Sequence, residues 1–193
     1  MSGARWLWEH PLLRIEERFG PDGERRLVVH RGAFVAVCLH LIAEGGEAFL
    51  MVRQQRPTAE EPFYEHPAGM IEAQETPLQA ALREVAEETG WLLAPQDLTL
   101  LTPQPLYPSP AFWQEVGYFF AVRKEVPLAL LKAYATPQLR QRGKEKVELL
   151  AVPPSQVLRL TRNLQTVAHT LLYYAYLGAP YRDLSSFSPY GAG

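Results

Sequence analysis

Residues 69–91 read GMIEAQETPLQAALREVAEETGW, and they restrict the chain to folds that can set one short acidic helix behind a glycine-led loop. Thr76, Pro77 and Gln79 stand as an N-cap, a first helical residue and a capping-box partner, so a helix begins there. Leu78, Ala81, Leu82 and Val85 recur at helical spacing and form one apolar stripe. Gly90 is placed to end the helix in a left-handed conformation. The spacing predicts about four turns.

Glu84, Glu87 and Glu88 fall three and four residues apart on that helix, and their carboxylates are expected to project from a single face away from the apolar stripe. Like charges at this spacing oppose a helix by roughly 0.2–0.5 kcal/mol per pair, and a divalent cation would remove the repulsion. Acidic runs are ordinarily solvated helix faces, so the run alone decides little. Oxygen donors with no Cys or His nearby suit Mg2+, with Mn2+ as a substitute, better than Zn2+. Mg2+ commonly divides its coordination between a few carboxylates and substrate phosphates.

A chain of 193 residues, 47% hydrophobic, is long enough for one compact domain. The charges nearly cancel, at −2, and Lys and Arg are scattered, so no basic stripe points to nucleic acid. Cys38, the only cysteine, lies in the apolar run FVAVCLHLI and is expected in the core. The first twenty residues hold no apolar run long enough for a signal peptide or membrane span, which makes a cytoplasmic location the expectation.

Residues 26–41 and 48–53 read as strands around the turn at 44–47, and 98–101 and 115–122 as further strands. Residues 60–69 form a proline-containing loop. Leu164, Val167, Ala168, Leu171, Leu172 and Ala175 give residues 163–177 a helical stripe. A short helix is expected within 128–143 and strand within the first twenty residues. The expected organisation is an N-terminal segment over 1–25, a domain over 26–180 and a mobile tail over 181–193.

Gly69, Glu75, Arg83, Glu84, Glu87, Glu88 and Gly90 together reproduce G-x5-E-x7-R-E-x-x-E-E-x-G, and in this the chain resembles the Nudix hydrolases. The upstream stretch LMVRQQRPTAEEPFYEHPAGMIEAQE resembles the ADP-ribose pyrophosphatase branch at Arg53, Gln54, Arg56, Glu65, Pro67, Ala68 and Gly69. Downstream, YPSPAFWQE resembles the branch's S-P-G-F-x-x-E loop at Ser109, Pro110, Phe112 and Glu115. The likeness covers most of residues 29–123. Ala111 stands where that loop usually has glycine, His66 where an apolar residue is common, Gln55 for an aromatic and Trp91 for an aliphatic.

The resemblance implies an α/β/α sandwich around a central mixed sheet, and Mg2+-dependent hydrolysis of the diphosphate bond of ADP-ribose or a related nucleoside diphosphate sugar. From ADP-ribose the products would be AMP and ribose 5-phosphate. It implies metal ligation by Glu84, Glu87, Glu88 and the Ala68 carbonyl, with Glu115 as general base and Glu87 assisting. Glu75 and Arg83 would brace the loop against the helix, with Gly69 and Glu72 in support. Arg56 is a candidate for a substrate phosphate or ribose. Phe112, with Trp6, Trp8 and Trp113, is a candidate for stacking on adenine. His30, His40, His66 and His169 show no metal-ligand spacing.

The implied partner is a small nucleoside diphosphate derivative, with neither nucleic acid nor membrane. Relatives of this branch form homodimers in which N-terminal strands cross between subunits, and residues 1–25, with Trp6, Leu7, Trp8, Leu12, Leu13 and Ile15, suit that exchange or packing over their own sheet. Two other readings stay open. One is a Nudix enzyme acting on FAD, NADH or a nucleoside triphosphate; the other is a Nudix-fold sensor that binds a nucleotide metabolite without cleaving it.

Overall fold

Strand β3 is the spine on which the site is built. In the computed structural model, which describes residues 4–142 and 145–178, β1 (Ala4–His10) and β2 (Leu13–Phe19) lead into β3 (Arg25–Ala43), a single strand of 19 residues. One edge of β3 is shared in turn by β2, by β6 (Ala68–Met70) and by β4 (Gly46–Gln54), all antiparallel. The other edge pairs in parallel with β8 (Trp113–Glu125), from Val29↔Trp113 to Ile42↔Glu125. The sheet is therefore mixed, as expected. β5 (Phe63–Glu65) lies on β4, β7 (Thr99–Leu100) on β8, and β10 (Glu145–Val152) joins β4 to the edge strand β9 (Gln138–Arg142).

Alternation along β3 sends its side chains into two cores. Val35, Val37, Leu39 and Leu41 meet Ala80, Ala81 and Val85 of α1 (Pro77–Thr89) and Leu131 and Tyr134 of α2 (Leu128–Tyr134). Cys38 faces the other way, toward Val157 of α3 (Pro154–Leu160) and Tyr173 of α4 (Leu164–Tyr176), while Phe34 and Ala36 meet Leu172 of α4. Each buried Val or Leu contributes roughly 1.5–3 kcal/mol, so both helix layers are firmly seated. This is the expected α/β/α sandwich. Cys38 is buried and free, and burial pushes its thiol well above the usual range.

The short helix expected within 128–143 is present as α2, and Pro137 precedes strand β9, since proline cannot continue a helix. Other local expectations are corrected. The 60–69 loop contains the short strands β5 and β6, which only pairing to β4 and β3 makes regular. Helix α3 was not anticipated. The N-terminus forms the β1–β2 hairpin, which extends the sheet sideways and does not pack over it; every residue of β1 is exposed. The tail expected over 181–193 lies outside the described residues. Among the described residues no helix is long and apolar enough to cross a membrane.

Candidate functional site

The acidic helix begins and ends as its sequence directs. Thr76 donates its amide to Gln79 Oε1 at 2.8 Å and accepts from the Gln79 amide at 3.3 Å, closing a capping box. At the other end Gly90 has φ 77° and donates to the Ala86 carbonyl at 2.9 Å. The helix is thereby fixed in length and phase ahead of its tertiary contacts.

That phase turns two of the three carboxylates inward. Glu84 and Glu88, one turn apart, are 1% and 3% exposed beside Ala80, Ala81 and Val85, whereas the Glu87 side chain is 40% exposed. The expectation of three carboxylates facing away from the apolar stripe is corrected for Glu84 and Glu88. The small side chains of Ala80 and Ala81 let the helix approach β6, whose backbone gives the two carboxylates polar surroundings.

The register of β6 explains those surroundings. The Pro67 carbonyl accepts from the Val37 amide and the Ala33 carbonyl from the Ile71 amide, so odd-numbered residues bond to β3 and Ala68 and Met70 turn their backbone groups to the opposite edge. Two bonds mark that edge: the Ala68 amide donates to Glu88 Oε2 at 3.2 Å, and the Met70 carbonyl accepts from Arg83 Nη2 at 2.9 Å. An antiparallel residue points its amide and carbonyl the same way, so the Ala68 carbonyl opens toward the side where Glu88 lies. Between them, Gly69 is so close to Glu84 that a β-carbon there would overlap the carboxylate.

Arg83 holds this cradle in place. Its Nε and Nη2 reach Glu75 Oε1 and Oε2 at 2.7 and 2.8 Å, and its Nη1 reaches Glu84 Oε1 at 2.7 Å and Glu87 Oε2 at 3.6 Å. The Arg83 fork, then the Glu72 amide, hold the Glu75 carboxyl down to about 2. Burial opposes the guanidinium charge, but its bonds to Glu75 and Glu84 outweigh that and raise its pKa further. The pairing expected of Glu75 and Arg83 is thus present. Glu72 takes part through its backbone, its side chain being exposed.

Glu84, Glu87, Glu88 and the Ala68 carbonyl are all hard oxygen donors, and the space that a Gly69 side chain would fill leaves the Glu84 carboxylate beside the strand. The donor set fits a divalent cation of the Mg2+ type. No group of three His, Cys, Asp or Glu side chains among the described residues is arranged to hold an ion by itself, so such an ion would draw further oxygens from the backbone, water or substrate.

The other expected site residues have partners outside the carboxylates of this cradle. Glu115 is 5% exposed in β8 and accepts from Arg31 Nη1 at 3.0 Å; Arg31 is the residue bulged out of register between His30 and Gly32. Strand alternation puts Glu115 on the side of Gly117 and Phe119, whereas Val116, Tyr118 and Phe120 alternate toward α1. Arg56 gives Nε and Nη2 to Glu65 Oε2 at 3.1 and 2.7 Å. Phe112 is 49% exposed, with its ring centroid 6.0 Å from that of Trp113. Trp6 packs edge-on to His30 under the Arg14 guanidinium, and Trp8 stacks on His10.

Sequence reasoning missed the anchoring of the strand that carries Ala68. Glu65, 5% exposed, accepts from Gln54, Arg56 and Asn163, the last at 2.5 Å from the N-cap of α4. The next residue, His66, bonds through Nε2 to Thr170 Oγ1 at 2.9 Å. The Thr170 hydroxyl donates to the Thr166 carbonyl, so His66 is the donor, and His169 likewise donates to the Phe120 carbonyl at 2.8 Å. Both imidazoles are neutral: burial carries His66 well below its usual range and His169 down to about 4. The E-H-P-A-G run was visible, but its partners on α4 lie about a hundred residues away.

The NUDIX domain family model matches residues 32–171. The chain is 37% identical over 106 residues to the ADP-ribose pyrophosphatase of Bacillus subtilis (strain 168), covering 55% of this chain and 53% of that protein. It is 35% identical over 77 residues to the methanol dehydrogenase activator of Bacillus methanolicus, 40% of each chain. These matches span about half or less of the curated relatives' length. A crystal structure described as an ADP compounds hydrolase superposes with a TM-score of 0.66 at 18% identity, over 92% of this chain and 94% of that one, and so shares the fold.

Proposed function

Because the chain belongs to the NUDIX domain family, we propose that it hydrolyses the diphosphate bond of ADP-ribose, or of a related nucleoside diphosphate sugar, with Mg2+, releasing AMP and ribose 5-phosphate from ADP-ribose. The observation that carries this reading is the cradle at β6, where Glu84 and Glu88 lie against the strand edge onto which the Ala68 carbonyl opens. The likeness to the Bacillus subtilis ADP-ribose pyrophosphatase supports the choice of substrate.

Glu84, Glu87, Glu88 and the Ala68 carbonyl would hold the cation, with Mn2+ as a substitute. Bound there, it supplies Lewis acidity toward phosphate oxygens and lowers the pKa of a coordinated water. Arg83 and Glu75 fix the helix and loop so that the oxygens do not spread. Gly69 keeps the Glu84 carboxylate against the strand. Glu115 is the proposed base for the attacking water, and its use requires release from Arg31. Exposed Glu87 assists from the solvent side. Arg56, two residues past the end of β4, would meet a substrate phosphate by exchanging it for Glu65, and Phe112 would offer its exposed ring to the base.

The protein is proposed to act in the cytoplasm as a homodimer, with exposed Trp6, Leu7 and Trp8 of β1 at the subunit contact. Product analysis with Mg2+ and, separately, ADP-ribose, a GDP-sugar, FAD, NADH and a nucleoside triphosphate tests the substrate. Fastest cleavage of ADP-ribose supports the proposal. Faster cleavage of FAD, NADH or a triphosphate would replace it, and binding without turnover of any would make the chain a sensor.

A further inference from the structure

We infer that Glu65 sets how tightly Arg56 holds a substrate phosphate: it competes with the phosphate for the guanidinium and so weakens binding of a nucleoside diphosphate sugar. The inference rests on the proposed meeting of Arg56 with a substrate phosphate and adds what regulates that contact.

The two residues differ in freedom. The Glu65 side chain is 7% exposed and that of Arg56 42%, so the arginine can turn toward solvent while the carboxylate stays in place. Asn163 Nδ2 donates to Glu65 Oε1, and Gln54 Nε2 shares Oε2 with Arg56. Arg56 gives both Nε and Nη2 to that one oxygen. The guanidinium is therefore already engaged by a carboxylate, through the same donors that would take a phosphate.

Exchange is possible because it does not orphan Glu65. With Arg56 gone, Asn163 still donates to Oε1 and Gln54 to Oε2, so the buried carboxylate keeps a bond on each oxygen. The exchange nevertheless has a cost, since the two remaining donors are neutral amides and the bond lost is charge-assisted. Every phosphate contact made by Arg56 is thus reduced by the contact it gives up. Holding the arginine beforehand also limits the freedom it loses on binding, but freezing one side chain weighs less than a charge-assisted bond at a half-buried place. Removing the charge of Glu65 should consequently tighten the ligand, whereas changing a residue that only held the fold would loosen it.

The test is calorimetric titration with ADP-ribose in EDTA, where no cation recruits the diphosphate and the proposed hydrolysis does not run. Glu65→Gln should tighten binding about fivefold, and Arg56→Gln should weaken it about tenfold. In a protein that already carries Arg56→Gln, the gain from Glu65→Gln should vanish, because the two residues act as one pair. The parent supplies a second measurement that needs no change to a buried residue: on saturation with ADP-ribose its Arg56 Nε–H resonance should move, while the Asn163 side-chain amide stays protected from solvent exchange. Weaker binding in Arg56→Gln with equal or weaker binding in Glu65→Gln, or an Nε–H resonance that does not move, would overturn the role of Glu65 alone. Unchanged binding in Arg56→Gln, or no binding by the parent, would overturn the phosphate role of Arg56 and this inference with it.

Discussion

No β-carbon fits between Gly69 and Glu84: one built on the strand overlaps both oxygens and the carboxyl carbon of the helix residue. The glycine is needed here for close approach, not for an unusual backbone angle, since its φ is not among the positive ones. Gly69→Ala should therefore push Glu84 away from β6. Turnover is expected to fall by about 100-fold, the usual cost of misplacing a catalytic group by an ångström. Kinetics beside a thermal melt check this; unchanged turnover in a folded variant would refute the role of the contact.

Arg83 joins Glu75, Glu84 and the Met70 carbonyl, and Glu84 is almost fully buried. Arg83→Ala leaves that carboxylate without its guanidinium, at a cost on the order of 3 kcal/mol, and Arg83→Lys should recover only part because a single ammonium nitrogen cannot span the separate positions that Nε, Nη1 and Nη2 reach. Glu75 gives the same network a pH signature. Its pKa falls from 4.5 unfolded to about 2 folded, so its contribution is complete above pH 4.5 and disappears as pH falls toward 2. The melting difference between parent and Glu75→Gln should shrink across that window. A constant difference would contradict the assignment.

His169 acts in a milder range. Its pKa drops from 6.5 to about 4 on burial, so between those values the unfolded chain binds the proton and the folded one does not. Stability attributable to His169 is full above pH 6.5, declines as pH falls, and is lost by about pH 4, with a span of about 3 kcal/mol. His169→Gln keeps a donor for the Phe120 carbonyl and should flatten the decline. Urea unfolding from pH 7 to pH 4 compares the two, and parallel curves would count against the buried neutral imidazole.

Asn163 caps α4 with its side-chain oxygen, accepting from Gln165 and Thr166, and donates its amide to Glu65. Asn163→Ala should cost about 1–2 kcal/mol from the cap. Asn163→Asp keeps the capping oxygen but sets a carboxylate against Glu65, so it should be no more stable than Ala despite being the better cap. Urea midpoints at pH 7 decide it. A variant with Asp at parent stability would show that the Glu65 contact is not used.

The acidic helix was legible because its signals are local: a capping box at Thr76 and Gln79, a left-handed stop at Gly90 and a stripe at helical spacing. β3 and α4 were legible for the same reason, each carrying a long run of one period. β5 and β6 were not, since three residues of strand have no period of their own and become regular only against β4 and β3. The inward turn of Glu84 and Glu88 was misread because spacing shows which residues share a side, whereas the polar edge that receives them belongs to β6. The Glu65–Asn163 contact joins positions 98 apart, which no local pattern reports. The pairing of Glu115 with Arg31 depends on a bulge in β3 that Gly32, at φ 97°, marks, but the partner it presents Arg31 to lies more than eighty residues away.

The central claim is that carboxylates of α1 at the β6 cradle hold a cation that cleaves ADP-ribose. The most direct test is release of AMP from ADP-ribose by the parent in EDTA, by the parent after Mg2+ is restored, and by Glu88→Gln with Mg2+, each beside a melting curve. The account predicts no release in EDTA, recovery with Mg2+, and a loss of about 100-fold or more in the folded variant, because the substitution removes a ligand charge and almost no volume. Equal release by parent and Glu88→Gln, or undiminished release in EDTA, would contradict it.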